Sequence, residues 1–89
     1  MNKLENDSPQ GKYFFHTLSG SNYTLMIEDD GKRWIQRFSD NTLRKDSQKI
    51  YLLKIISLEV GKQGYLLLEP LGAGNSTLRI TTPITKIYQ

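Results

Sequence analysis

Tyr23-Thr24-Leu25-Met26-Ile27-Glu28-Asp29-Asp30-Gly31-Lys32-Arg33-Trp34-Ile35-Gln36-Arg37-Phe38 consists of two runs of alternating apolar residues joined by an Asp-Gly pair. That pattern is a β-hairpin signal, because Asp and Gly tolerate the positive φ angles at the centre of a type I′ turn. With Asp30 and Gly31 as the two central residues, Ile27 faces Trp34, Leu25 faces Gln36 and Tyr23 faces Phe38. The strand period of two then sends Thr24, Met26, Glu28, Arg33, Ile35 and Arg37 to the opposite face. One face of this hairpin is mostly apolar; the other mixes cations with apolar side chains.

The rest of the chain sets the boundaries of what such a hairpin can belong to. Eighty-nine residues, 37% hydrophobic and 24% charged, suit one ordinary globular domain. No apolar run approaches the roughly 18 residues of a membrane span, so no membrane partner is expected. The absence of cysteine excludes disulfides, thiolate metal sites and cysteine nucleophiles. Residues 1–10 have no apolar signal-peptide core and read as a disordered leader before a single domain over 11–89. A cytoplasmic setting fits these features.

Charge is unevenly spread. Residues 32–54 hold seven basic and two acidic residues, a local net charge of +5 within a chain of net +3. Such asymmetry suits an anionic partner, and equally a solvated face that keeps the protein soluble.

Outward from the hairpin, Lys12–Leu18 is an aromatic-rich strand and Ser19-Gly20-Ser21-Asn22 a turn. Centring that turn on Gly20-Ser21 places Phe14 and Leu18 on the core face and Tyr13, Phe15 and Thr17 on the other. A one-residue slip would exchange the two sets. Ser39–Ser47 is polar and aperiodic, a loop. Ile50–Val60 reads as a strand from its β-branched residues, although Asp46 or Ser47 and Gly61 would cap a helix over 47–60 and make the fold α+β. Tyr65–Glu69 and Ser76–Thr81 are further strands, Thr82-Pro83 breaks the ladder, and Ile84–Tyr88 is a closing strand or helical turn. Five to seven short strands with Gly-rich turns describe an all-β domain, a small antiparallel barrel or strongly bent sheet of SH3-like or OB-like type.

Catalytic constellations are not found. His16 is the only histidine, so no histidine metal cluster can form. Asp29-Asp30 is too short for a calcium loop. Gly72-Ala73-Gly74 lacks the third glycine and the following helix of a phosphate-binding loop. No cofactor and no enzymatic activity are expected. The remaining constellation is Tyr13, Phe15, Met26, Arg33, Ile35 and Arg37 on one sheet face, with Arg44, Lys45 and Lys49 near in sequence. Three readings apply to it: a protein-docking surface, a stacking and phosphate-binding surface for single-stranded nucleic acid, or a second side of the core. The leading functional expectation is a non-enzymatic module that docks on a protein partner, with nucleic-acid binding as the alternative. An exposed strand edge in so small a sheet also suits a homodimer.

The passage Leu68–Ile84, LEPLGAGNSTLRITTPI, together with Tyr13-Phe14-Phe15 and Leu18-Ser19-Gly20-Ser21, resembles short uncharacterised proteins of cyanobacteria. The resemblance implies a cytoplasmic setting and assigns no functional residue.

Overall fold

In the computed structural model, which describes residues 1–38 and 48–89, the strands are β1 (Gly11–Thr17), β2 (Asn22–Ile27), β3 (Arg33–Phe38), β4 (Ile50–Ser57), β5 (Gln63–Leu68) and β6 (Thr77–Tyr88). Each pairs antiparallel with its sequence neighbour, and β6 returns to β1, closing a six-stranded barrel. The all-β expectation therefore holds, and the run from Ile50 is strand, not helix. The loop read over Ser39–Ser47 lies outside the described residues.

Both N-terminal hairpins turn through three residues. In the first, Thr17 N–H donates to the Ser21 carbonyl and Gly20 N–H to the Thr17 carbonyl. In the second, Glu28 N–H donates to the Lys32 carbonyl and Gly31 N–H to the Glu28 carbonyl. Gly20 and Gly31 have φ of 93° and 83°, the left-handed position that closes a type I turn with a G1 bulge. The two-residue turn expected at Asp30-Gly31 is thus one residue too short. Ile27 pairs with Arg33, Leu25 with Ile35 and Tyr23 with Arg37. Across the first hairpin Tyr13 pairs with Leu25 and Phe15 with Tyr23. The faces of β2 are as read from the sequence; those of β1 and β3 are exchanged, because the registers differ by three residues in β1 and one in β3, and any odd slip reverses every side chain.

The interior consequently holds Tyr13, Phe15, Tyr23, Leu25, Ile27 and Ile35 from β1 to β3, with Phe15 and Tyr23 stacked at 4.6 Å. The Tyr13 hydroxyl donates to the Pro9 carbonyl at 2.6 Å, so its burial leaves no polar group unpaired. Trp34 and Phe38, expected inside, lie on the outer side, and Leu18 is exposed.

β4 and β6 turn the corners of the barrel. In β4 the register skips at Leu53 and at Ile56, two bulges that carry the buried residues Leu52, Ile55 and Leu58 inward at a spacing of three. β6 does the same with Thr81, Ile84 and Ile87. Pro83 does not end this strand. It sits where β6 leaves β5 for β1, and its carbonyl accepts from Leu18 N–H, so the missing proline donor falls at a change of partner. Gly64 lies opposite this corner; a Cβ there would meet Thr81 Oγ1 at 2.9 Å and Leu58 Cδ1 at 3.3 Å.

Residues 1–10 are not a loose leader. Leu4 is wholly buried in the core, its N–H donates to the Leu58 carbonyl, and Val60 N–H donates to the Asn2 carbonyl. The Asn6 carboxamide donates to the Ile55 carbonyl at 2.9 Å and accepts Ile55 N–H at 2.8 Å, replacing a missing strand. An apolar residue flanked by polar ones gave little sequence signal for this plug.

Candidate protein-docking surface

Of the nine residues singled out from the sequence, four form no surface. Tyr13, Phe15 and Ile35 line the barrel interior, and Arg37 is buried with Nε and Nη2 both donating to Ser21 Oγ. These four side chains belong to the one barrel interior, on the side of the wall away from Met26, so the single face read from the sequence is split between interior and exterior. Met26 is half-buried on the outer wall opposite Trp34. Arg44 and Lys45 lie outside the described residues.

Arg33 and Lys49 remain, at opposite ends of the short seam between β3 and β4. That ladder has only two pairs, Trp34 with Tyr51 and Ile35 with Ile50. Below it Arg33 Nη2 donates to the Leu53 carbonyl at 2.6 Å, so the guanidinium takes the place of the next ladder bond. Lys49 Nζ stands 4.4 Å from the Trp34 ring centre, and Trp34 Nε1 donates to Glu28 Oε1 at 3.0 Å. A pocket of about 120 Å³ is framed by Glu28, Trp34, Lys49 and Tyr51. With Lys49 over a face, Glu28 on its N–H and only 8% of its surface exposed, the indole is a finished piece of wall and a poor stacking platform.

The exposed apolar surface is elsewhere, on the outer side of β4, β5 and β6. Leu66 and Leu68 of β5 point into the core, so Tyr65 and Leu67 point out. Leu67 pairs with Leu78 and Tyr65 with Ile80. The polar residues of Thr77-Leu78-Arg79-Ile80-Thr81 face the inner side and the apolar ones face solvent, the inverse of an ordinary amphipathic strand. On the other flank the β4 bulges push Leu53 and Ile56 outward beside the same strand. Leu53, Ile56, Leu78 and Ile80 are 46%, 52%, 53% and 53% exposed. Directly opposite cross-strand pairs stand about 5 Å apart, so Tyr65, Leu67, Leu78 and Ile80 form one patch, with the bulged Leu53 and Ile56 flanking it across β5 on either side of Lys54.

Two sequence signals could have located it: the unbroken apolar run Tyr65–Leu68, too apolar for a strand with one wet face, and two further apolar residues on the strand beyond it. Among the described residues no group of three or more His, Asp or Glu is placed to hold a metal ion. No helix among them is long and apolar enough to cross a membrane. Comparison with protein families, with curated proteins and with solved structures finds no match.

Proposed function

We propose that the chain is a non-enzymatic binding module that docks on a protein partner through the outer face of β4, β5 and β6. The observation that carries this reading is the bare patch centred on Leu67. Large contiguous apolar patches on soluble chains mark interaction sites, and the middle of an interface is depleted in charge. Lys54, opposite Leu67 on β4, is the one charge within this surface among the described residues, and Glu69, just beyond β5, lies at its end.

The test is the double variant Leu53→Lys with Ile56→Lys. Both residues are on bulges and outside the core, so the unfolding transition is expected to be unchanged while cross-linking of a partner through Lys54 disappears. Retained cross-linking in the folded variant overturns the reading. A labelled single-stranded oligonucleotide titrated at two salt concentrations supplies the other arm. Phosphate contacts by Lys32, Arg33, Lys49 and Lys54 would give a log–log salt slope of about −3, at roughly −0.7 per phosphate. Such a slope in the parent chain replaces protein docking with nucleic-acid binding.

A further inference from the structure

The two corner strands of the barrel each leave part of an edge without a strand partner, and the molecule treats the two edges differently. Past its short ladder with β3, β4 is covered along its length: Arg33 holds the Leu53 carbonyl, Asn6 holds both backbone groups of Ile55, and residues 2–4 hold Leu58 and Val60. β6 pairs with β1 only from Ile84 onward, and the last cross-links toward β1 are Leu18 N–H to the Pro83 carbonyl and Ser19 N–H to Thr82 Oγ1. From Thr77 to Ile80, β6 is paired with β5 alone among the described residues. Every second residue there turns its N–H and carbonyl away from β5. A groove of about 600 Å³ runs along this stretch, bounded by Leu71, Gly72 and Ala73.

The edge has one of the usual protections, the inward charge of Arg79, and lacks most of the others. Thr77-Leu78-Arg79-Ile80-Thr81 contains no proline, no lysine and no bulge before Thr81, and its composition favours extended pairing. Its one charge is also unanswered. Arg79 Nη1 is buried without a hydrogen-bond partner, and no carboxylate among the described residues pairs with this guanidinium. A second copy of the chain laid antiparallel on this edge brings Arg79 against another Arg79 or against threonine, and so brings no carboxylate.

We propose that this edge accepts an extended segment of a partner protein as an added strand, with an acidic residue opposite Arg79 and apolar residues on either side of it. The acidic side chain then lies on the inner side with Arg79. Its two neighbours lie outside beside Leu78 and Ile80 and extend the bare patch by one strand. Main-chain hydrogen bonds hold the segment and the alternate side chains select it. The proposal rests on the protein-docking reading and names the chemistry of the partner.

The probe is a capped peptide with a central Thr-Val-Glu-Val-Thr, compared with its Gln and Lys counterparts at the middle position. Amide exchange of the whole chain is followed by NMR. The expected result is slowed exchange at alternate amides within 77–81 on addition of the Glu peptide, at least tenfold weaker binding of the Gln peptide, and none of the Lys peptide. N-methylation of the peptide's edge-facing amides abolishes binding. Arg79→Gln removes the preference for Glu over Gln, and Leu53→Lys with Ile56→Lys leaves peptide binding intact. Absence of protection at 77–81 by the Glu peptide overturns the proposal, as does binding indifferent to N-methylation. Protection of these amides in a peptide-free sample that sediments as a dimer also overturns it, in favour of a second copy. Because the double variant acts only on β4, edge pairing and face docking fail in separate arms.

Discussion

The outer wall over β1, β2 and β3 and the outer wall over β4, β5 and β6 solve the same problem in opposite ways. On the first, together with the end of β6 that pairs with β1, three aromatics carry a lysine: Lys12 stands 5.9 Å from the Phe14 ring, Lys49 stands 4.4 Å from Trp34 and Lys86 stands 4.8 Å from Tyr88, while Phe38 at the end of β3 is exposed. Phe14 and Tyr88 also stack, and His16 shares a hydrogen bond with the Tyr88 hydroxyl. Aliphatic stems cover the rings while the ammonium groups stay in water. On the second wall Leu53, Ile56, Leu78 and Ile80 stand without such cover. The contrast teaches that exposure of apolar groups here is local: a chain that clothes Phe14, Trp34 and Tyr88 on one side leaves a cluster of aliphatics uncovered on the other, where a partner can bury them.

The largest test of this contrast compares two adjacent residues of β4. Ile55→Asp puts an unpaired carboxylate into the barrel and is expected to cost more than about 4 kcal/mol, whereas Ile56→Asp, half exposed on a bulge, is expected to stay within about 0.5 kcal/mol of the parent. Denaturant unfolding followed by Trp34 fluorescence measures both. Equal damage from the two substitutions would mean that the bare wall is core after all.

Below that in size is the plug shared by both halves. Leu4→Ala is expected to lose about 2 to 3 kcal/mol in the same titration, in line with deletion of buried leucine atoms. A disordered leader would give no change. Gly64→Ala follows at about 2 kcal/mol, because the new methyl presses on Thr81 Oγ1 and Leu58 where β5 crosses the β6 corner. A neutral result there would show that the β6 corner shifts freely and that the bare wall is not rigidly placed.

Smaller again is the lysine cladding. Lys49→Ala is expected to lower stability by about 0.5 to 1 kcal/mol by uncovering Trp34, with a red shift of its emission, while Leu78→Lys on the other wall leaves stability unchanged and raises solubility. A stability loss from Leu78→Lys larger than that from Lys49→Ala would reverse the comparison.

The smallest effect comes from the Lys3–Glu5 pair at the base, 2.9 Å apart and solvent-exposed. The hydrogen bond and charge of Lys3 hold Glu5 below its ordinary value of 4.5, and Glu5 raises Lys3 above 10.5. A depressed carboxylate stabilises the fold above its unfolded value and loses that contribution as pH falls below about 4.5 through the folded value; the raised lysine loses its share only above about 10.5. Glu5→Gln is therefore expected to flatten the acid limb of the stability curve by an amount near the limit of measurement, with no effect at neutral pH beyond loss of the exposed pair.

Strand positions, turn positions, the all-β class and the faces of β2 were legible in the sequence, because alternation and glycine placement are local properties of the chain. Register was not. Asp29-Asp30-Gly31 satisfies a two-residue and a three-residue turn equally well by composition, and that single residue sends Ile35 and Arg37 inward and Trp34 outward. The β4 bulges were hidden for a related reason: Leu52, Ile55 and Leu58 recur every three residues, a spacing that a helix and a twice-bulged corner strand share. The basic residues of 32–54 were visible, but not that Arg33 bridges a seam while Arg37 is buried on Ser21. Local periodicity determined which segments extend and where they turn. Only closure of the barrel decided which side of each strand faces inward, since that choice is made by pairing between residues far apart in sequence, with burial of the aromatic interior selecting among registers that the turns alone leave nearly equal.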